Sequence, residues 1–555
     1  MKTYKIVLSF AVMATLTAAS CKKYYESVPV EQVTPDYIWD TQDSVGGLAN
    51  NYLTTIYTYL PLGFNRITTD FLDAASDDAI SSQSGNTDIT TMAHGGITVF
   101  TNPDNTWAND YAGIRKATIF LNNFHLVPMK NIYERNARLG EARALRAFFY
   151  WELVRRWGGV PLLGDDVKGL TDNIELPRRS FESCIDYIVS ECDKAKDSLR
   201  TDPVDDNNLG RWTRAGAMAL KAQVLLFAAS PLYNGGNTGD SLNGYASYDP
   251  NRWQLAAAAA KDVMNLNIYK LDSPLNQIFI ETKSPEIIFM KTQSTGKTVE
   301  LANGPINFSA GPAAGYTSPT QELVDAFPMS NGKPITDPAS GYDENNPYTN
   351  RDPRLTATIF CNGAPWLGGV VETFDGGLSR PGGSVVQTRT SYYMRKFLGQ
   401  YETGSSFQNI VHDWSYYRYA EVLLNYAEAQ NEFAGPDASV YSAVESIRQR
   451  AGLDPYTLDP GLTADSMRTI IRNERRIELA FEEHRYWDIR RWKIAGSVYN
   501  KPLHGMEIIK NAIGTFTYAV QPVFTTSFDN AKMYFYPIPY TEMVSNNKMR
   551  QNPGW

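Results

Sequence analysis

The chain has 555 residues, of which 43% are hydrophobic and 20% charged, which excludes a disordered chain. Its formal net charge is −8 at pH 7, and Lys and Arg form no basic patch or tail. This argues against nucleic-acid binding, because phosphate contacts require clustered basic residues.

The N-terminus predicts export from the cytoplasm followed by attachment to lipid. Two lysines among the first five residues precede a short, mostly apolar run and several small residues, the pattern of a signal peptide over residues 1–20. The cysteine that follows, Cys21, resembles the acylation site of a bacterial lipoprotein. We therefore predict a lipid anchor at Cys21 and an exposed leader over 21–45. An ordinary cleaved signal with a chance cysteine is the alternative.

Helical patterns dominate residues 46–266 and 416–555, where apolar or small side chains recur every three or four positions. Ser180, Thr213 and Thr463 stand directly before three of the predicted helices, as N-caps do. Four helix pairs are predicted: 139–157 with 181–200, 214–229 with 251–266, 417–433 with 438–451, and 464–484 with 486–495. Such pairs are typical of tetratricopeptide-like units, although their starts do not keep the regular period of a plain repeat array.

Residues 267–415 differ from the rest because they are crowded with Gly, Pro, Asn, Asp and aromatic residues. A structureless stretch of this length is uncommon inside a compact domain unless it is functional. We therefore predict short strands and packed loops here, set on a rigid helical scaffold. The predicted fold is mostly α, with one domain over 46–555.

An acidic stripe of Glu474, Glu478 and Glu482 lies on one predicted helix. Like charges four residues apart destabilise an isolated helix, so each glutamate is expected to have a basic partner. The predicted partner of Glu478 is Arg475. The predicted partner of Glu482 is Arg485, and groups on other helices are the alternative for both. The favoured interpretation is a structural ion network between helix pairs, and the other is a paired-carboxylate active site.

Motifs for catalysis or metal binding are missing from the sequence. It contains no HExxH, GxSxG or CxxC, and its five histidines have no ligand spacing. We therefore predict no catalytic residue, no cofactor and no metal. The cysteines after Cys21 are expected to be buried thiols, because Cys184 and Cys192 are too far apart along one helix to form a bridge.

Several segments resemble the SusD/RagB family of Bacteroidetes outer-membrane lipoproteins. They are "GEARALRAFFYWELVRRWGGVPL" at 140–162, "RYAEVLLNYAEAQNE" at 418–432, "IRNERRIELAFEEHRYWDIRRW" at 471–492, and the ending "YPIPYTEM…NNKMRQNPGW" at 536–555. The resemblance implies a SusD-like fold with four tetratricopeptide-like helix pairs and an irregular region that carries binding loops. It also implies a lipid-anchored protein of the outer membrane, facing the exterior, whose partner is a SusC-like TonB-dependent transporter.

Two regions are the candidates for ligand binding. The first is the polar loop 76–96, which contains Asp77 and Asp78. The second is a set of aromatic residues in the loop-rich region: Tyr316, Tyr342, Trp366 and Tyr392. A flat aromatic ring covers the apolar face of a sugar, and carboxylates accept hydrogen bonds from its hydroxyls. Packing in the core is the alternative role for each aromatic, and it is the role predicted for Trp107.

The predicted function is non-catalytic capture of an oligosaccharide and its delivery to a SusC-like transporter. Peptides or another nutrient are alternative ligands in the same role. A glycoside hydrolase and a helical scaffold that binds only protein are alternatives from other classes. Deleting loops of 267–415 would leave the function of such a scaffold intact.

Overall fold

The computed structural model describes residues 35–555 apart from 84, 86, 170, 236–239, 282, 309–312 and 383–386. The predicted signal peptide, Cys21 and most of the leader lie outside the described residues. Among the described residues, the helices are all too short or too polar to cross a bilayer.

The α-helices are α1 (Pro35–Ile38), α2 (Gly47–Tyr57), α3 (Asp88–Ala93), α4 (Trp107–Asn123), α5 (Ile132–Trp157), α6 (Phe181–Lys196), α7 (Arg214–Ala229), α8 (Asn251–Met264), α9 (Thr298–Asn303), α10 (Gln321–Ala326), α11 (Pro353–Thr358), α12 (Tyr419–Ala434), α13 (Ala438–Ala451), α14 (Ala464–Glu478), α15 (Arg485–Arg491), α16 (Ala495–Val498) and α17 (Tyr540–Ser545). The strands are β1 (Ala79–Ser81), β2 (Ile287–Lys291), β3 (Thr317–Pro319), β4 (Ile359–Phe360), β5 (Pro365–Trp366), β6 (Gly369–Val370), β7 (Tyr393–Met394), β8 (Trp414–Arg418), β9 (Pro502–Lys510) and β10 (Phe516–Thr525). The prediction of a mostly α fold is confirmed.

Three of the four predicted helix pairs are present: α5 with α6, α7 with α8, and α12 with α13. All three residues predicted before helices act as N-caps, since Ser180 Oγ accepts from Ser183 N, Thr213 Oγ1 from Gly216 N and Thr463 Oγ1 from Ser466 N. Helix α8 also packs against α12, so the scaffold before the loop-rich region is joined directly to the scaffold after it.

The fourth pair differs from its prediction. Helix α14 ends at Glu478 rather than at 484, and Phe481 and Glu483 then take φ angles of 64° and 61°. Left-handed backbone cannot continue a right-handed helix, so the chain turns here. The short helix α15 follows, and Arg475 of α14 binds Asp488 of α15 through an ion pair of 2.7 Å.

The loop-rich region contains short strands, as predicted, and also short helices that were not predicted. Its strands form two-stranded antiparallel sheets: β4 with β7, β5 with β6, β2 with β8, and β3 with β1 from the N-terminal part of the chain. The hairpin of β9 and β10 forms another. A continuous hydrophobic core runs from Trp39 to Met549 and includes this region. Cys184, Cys192 and Cys361 are buried free thiols, as predicted.

The acidic stripe of α14 is buried among basic side chains. Arg354 binds Glu474 at 2.5 Å and Glu478 at 3.0 Å. Arg418 binds Glu478 at 2.8 Å and Glu482 at 2.7 Å. The interpretation of this motif as a structural ion network is therefore confirmed.

The two individual ion pairs predicted within this motif are wrong. Arg475 turns away from the glutamates to Asp488, and its Nη1 donates to Asn425 at 2.7 Å. Arg485 binds Asp77 at 2.8 Å, far away in the sequence. Sequence spacing identified the need for partners, but packing against other elements selected them.

Candidate ligand-binding site

The pairing of β1 with β3 brings the two predicted binding regions together. Ala79, Ile80 and Ser81 lie opposite Pro319, Ser318 and Thr317. Beyond the strands, the amide of Ser82 donates to the carbonyl of Tyr316 at 2.7 Å. The polar loop and Tyr316, which are more than two hundred positions apart in the sequence, therefore lie next to each other at one end of this sheet.

A strained turn lies beside this junction. Ile67 and Asp70 exchange backbone hydrogen bonds of 3.2 and 3.1 Å and enclose Thr68 and Thr69. Both threonines have positive φ angles, 48° and 74°. Two-residue turns of this kind normally use Asn and Gly, and a β-branched residue at positive φ is a true outlier. Strain of this kind costs on the order of 1–3 kcal/mol per residue and clusters at functional sites.

The side chain of Gln83 holds this turn in place. Its Nε2 lies 3.0 Å from the Thr68 carbonyl, 3.0 Å from Thr69 Oγ1 and 2.8 Å from Asp70 Oδ2. From the other side, the Thr68 hydroxyl donates to the carboxylate of Asp88. The strained conformation is therefore set by contacts around the turn rather than by the residues in it.

We call Thr68, Thr69, Gln83, Asp88 and Tyr316 the turn surface. Thr68, Thr69 and Asp88 are exposed, whereas Gln83 and Tyr316 are half-buried. Thr68, Thr69, Gln83 and Asp88 contact one another and offer hydroxyls, an amide and a carboxylate to a ligand rich in hydroxyl groups, and Tyr316 adjoins them through the backbone hydrogen bond from Ser82.

Asp70 lies buried beneath the turn surface. It accepts from Ser81 Oγ at 2.8 Å, Gln83 Nε2 at 2.8 Å and Thr317 Oγ1 at 3.3 Å. Burial raises the pKa of this carboxyl to about 7, although these three donors oppose the shift. The turn, β1 and β3 therefore share one carboxyl that titrates near neutrality.

Replacing Asp70 by asparagine should flatten the pH dependence of stability. Because the folded-state pKa lies above the ordinary value of 3.8, ionisation is less favourable in the folded protein than in the unfolded one. The free energy of unfolding of the native chain therefore contains a component that falls between about pH 4 and about pH 7. Melting temperatures across this range should fall less steeply for Asp70→Asn. Glu344→Gln, which removes an exposed carboxyl, is the control. If the slope of melting temperature against pH were the same in Asp70→Asn as in the native chain, Asp70 would not be the group that titrates.

Two of the residues predicted to touch ligand, Asp77 and Asp78, are instead buried in ion pairs. Arg485 donates from Nε and Nη2 to Asp77, both at 2.8 Å, and Arg476 Nε donates to Asp78 at 2.7 Å. Burial opposes ionisation of Asp77, but the two guanidinium groups outweigh it and lower its pKa. These carboxylates anchor the start of β1 to α14 and α15, so we correct their role from binding ligand to positioning the loop.

The predicted aromatic residues separate into two groups. Trp366 is fully buried, with its ring centroid 4.8 Å from that of Phe360, and so has no free face. Tyr392 is also fully buried, and its hydroxyl donates to Gln321 at 2.6 Å. Both are corrected to core residues, because a stacked sugar needs an open ring face.

Tyr316 and Tyr342 keep partly exposed side chains, but they lie in different places. Tyr316 belongs to the turn surface. Tyr342 lies in the loop before α11, where the Arg351 guanidinium is 5.6 Å from its ring centroid. Trp107 is buried, in agreement with the predicted core role.

The sequence-based reasoning missed Thr68 and Thr69, and it included Gln83 only as an unnamed member of the polar loop 76–96. A Thr-Thr pair carries no turn signal, because turn residues such as Gly, Asn, Asp and Pro are absent from it. For the two threonines, the indication was the high content of Asp, Ser, Thr, Gly and Asn between residues 64 and 105.

Two family profiles match the chain. The profile described as SusD family covers residues 285–555, and the one described as starch-binding, associating with outer membrane, covers 36–226. SusD-like protein P2 of Formosa agariphila is 25% identical over the full length of both chains.

Solved structures have the same fold. A SusD-like protein from Bacteroides fragilis superposes with a TM-score of 0.79 at 27% identity, covering 95% of this chain and all of the other. A SusD-like carbohydrate binding protein from the same species has a TM-score of 0.76 at 22% identity, with 92% and 100% covered. Together with the two profiles, this full-length similarity shows that the chain belongs to the SusD/RagB family.

Proposed function

We propose that this protein binds an oligosaccharide at the outer membrane, without cleaving it, and delivers it to a SusC-like TonB-dependent transporter. The observation that carries the proposal is the strained Thr68–Thr69 turn, held by Gln83, whose neighbour Ser82 donates to the carbonyl of Tyr316. The starch-binding description of the matched profile and the carbohydrate-binding relative support this class of ligand.

The turn surface suits a neutral sugar. Hydroxyl groups of the ligand can donate to Asp88 and exchange hydrogen bonds with Thr68 and Thr69, which are exposed. The ring of Tyr316 adds an apolar face with a polar tip. Because contacts within the protein already hold the turn, little additional ordering is required when ligand binds, which favours affinity.

A role in binding rather than catalysis fits the chemistry of the acidic stripe. Glu474, Glu478 and Glu482 are buried and occupied by basic partners, so they do not face a substrate. A lipid tail on Cys21 would attach the protein to the outer membrane, which agrees with the description of the matched profile as associating with the outer membrane.

Replacing Tyr316 by alanine is expected to weaken oligosaccharide binding about fivefold while the protein stays folded, because one half-buried ring contributes about 1 kcal/mol of contact. A glycan array identifies the ligand first, and isothermal titration calorimetry then compares the affinities. The matched control is Tyr248→Ala, which removes a tyrosine that is 58% exposed outside the turn surface.

Unchanged affinity in both Tyr316→Ala and Gln83→Leu would remove the turn surface from the site. If the protein bound peptides on an array and no glycan, the ligand would be a peptide, and the proposed role in uptake would stand. If new reducing ends appeared when the protein was incubated with a glycan that it binds, the protein would be a hydrolase and the proposed non-catalytic role would be wrong.

A further inference from the structure

Three side chains from distant segments meet at the C-terminal end of α3. They are His94, which directly follows this helix; Arg389, from the segment before β7; and Phe524 of β10. The ring centroids of His94 and Phe524 are 4.5 Å apart, and the guanidinium carbon of Arg389 lies 5.3 Å from the centroid of Phe524. We call these three residues the basic cluster.

Backbone contacts fix the basic cluster beside the elements that carry the turn surface. The amide of Ser527, just after β10, donates to the carbonyl of Ala93 in α3 at 2.9 Å. The amide of Arg389 donates to Ser318 Oγ of β3 at 3.3 Å. The cluster therefore has a set position relative to α3 and to the sheet of β1 and β3.

Helix α3 also gives the distance between the two places. It begins with Asp88 of the turn surface, and His94 comes six residues later, which corresponds to about 9 Å along the helix axis. A ligand of several sugar units that lies on the turn surface is therefore long enough to extend to the basic cluster.

The guanidinium of Arg389 has donors that the protein does not use. The side chain is half-buried, and its Nη2 donates to the carbonyl of Val523 at 3.1 Å. Neither Nε nor Nη1 makes a hydrogen bond within the described part of the chain. No carboxylate of the described residues pairs with this guanidinium, and burial alone lowers its pKa. Arg476 and Arg485, by contrast, are held by Asp77 and Asp78.

The side chain of His94 is available as well. It is exposed, and it contacts Phe524 while neither ring nitrogen is hydrogen-bonded to another described residue. A guanidinium donates strong hydrogen bonds to carboxylate or sulfate oxygens, and an imidazole N–H can add another. On a chain with a net charge of −8, these free donors without an acidic partner form a local site for an anionic group.

We propose that the basic cluster is an anion subsite, which binds a carboxylate or sulfate group carried by the oligosaccharide whose neutral sugar lies on the turn surface. Arg389 donates to the oxygens of this group through its free N–H groups, and His94 donates from the other side of Phe524. The carboxylate of Asp88 repels the same group, so the acidic unit of the ligand points away from the turn surface. This inference rests on the proposed function and adds the charge of the ligand to it.

A glycan array of neutral, uronate-bearing and sulfated oligosaccharides tests the subsite on the purified native chain. The chain should retain acidic glycans in preference to neutral glycans of the same backbone, and the uronate and sulfate arms show which anion is bound. Isothermal titration calorimetry then compares the best acidic glycan with its methyl-esterified or desulfated counterpart. Arg389→Gln should bind the acidic glycan about tenfold more weakly, the effect of losing a hydrogen bond to a charged group, and the neutral one as before.

Two further variants separate charge from folding. Arg389→Lys keeps the positive charge and should retain part of the preference for the acidic glycan. Arg214→Gln is the matched control, because Arg214 is exposed on α7 and forms no ion pair with a described residue, so both affinities should equal those of the native chain. Thermal unfolding shows that each variant is folded.

Failure of the subsite and failure of the proposed function give different results. Tyr316→Ala should weaken binding of the acidic and the neutral glycan by the same factor, whereas Arg389→Gln should affect only the acidic one. If the array retained only neutral glycans, or if Arg389→Gln kept the native preference, the anion subsite would be wrong and the proposed function would stand. If no glycan were retained, both would be wrong.

Discussion

Replacing Arg418 by methionine is expected to lower the free energy of unfolding by about 3–5 kcal/mol, the usual cost of removing one partner from a buried ion network. The Arg418 side chain is 1% exposed, and all of its nitrogens donate. Its guanidinium contacts Glu286 at 2.6 Å, Glu478 at 2.8 Å and Glu482 at 2.7 Å. Methionine fills similar space but leaves these buried carboxylates short of positive charge. Guanidinium chloride unfolding, followed by circular dichroism, measures the loss.

Arg468→Met is the matched control. Arg468 lies on α14 and likewise bridges two acidic residues, Glu432 and Asp465, but its side chain is 30% exposed. Exposed ion pairs contribute about 0–1 kcal/mol, so this variant should unfold almost like the native chain. Equal losses in the two variants would show that burial is not what makes Arg418 important.

The loss of unfolding free energy in Arg418→Met, relative to the native chain, should also depend on pH. Burial opposes ionisation of Glu482, but Arg418 and Lys396 outweigh it and lower its pKa to about 2, below the ordinary 4.5. The contribution of the ionised Glu482 to the free energy of unfolding is fully present above the unfolded-state pKa, and it is lost as the pH falls through about 2. Without Arg418 the buried carboxylates protonate more easily, so the deficit should shrink between about pH 7 and about pH 4. A constant deficit would contradict this account.

Replacing Trp366 by alanine should destabilise the protein by about 3–5 kcal/mol, because it opens a large cavity in the core. The indole is fully buried, and its ring centroid lies 5.5 Å from that of Tyr401 and 5.9 Å from that of Phe407. Trp366→Phe should cost much less, since the indole Nε1 has no hydrogen-bond partner among the described residues. Thermal and chemical unfolding measure both variants.

Tyr316→Ala provides the comparison for Trp366. A half-buried side chain at the turn surface should contribute little to stability and much to binding, whereas Trp366 should do the reverse. A Trp366→Ala variant that is as stable as the native chain but no longer binds ligand would return this residue to the binding site.

The helical scaffold was predictable because its signals are local. In α5, α6, α7 and α12 the apolar and small residues repeat along a few turns, and caps such as Ser180 stand next to the helix they begin. The error was in the fourth helix pair, and it began at a misplaced helix end. Helix α14 stops early because the left-handed residues Phe481 and Glu483 redirect the chain, which no adjacent glycine or proline announces.

The site was only half predictable, because its parts come from distant segments. The sequence indicated the polar loop and Tyr316, but their contact depends on β1 pairing with β3 across more than two hundred residues. Likewise, no local pattern predicts that Asp77 is held by Arg485, or that Gln83 stabilises a strained Thr68–Thr69 turn.

By itself, the amino-acid sequence determined the class of fold, three of the four helix pairs, the family and the need of the acidic stripe for basic partners, since each depends on residues close together in the chain. Only the tertiary structure decided which partners those are, which aromatic rings lie in the core, and which polar groups reach the surface together. Burial and long-range pairing are properties of the whole packed chain, and spacing along the sequence does not contain them.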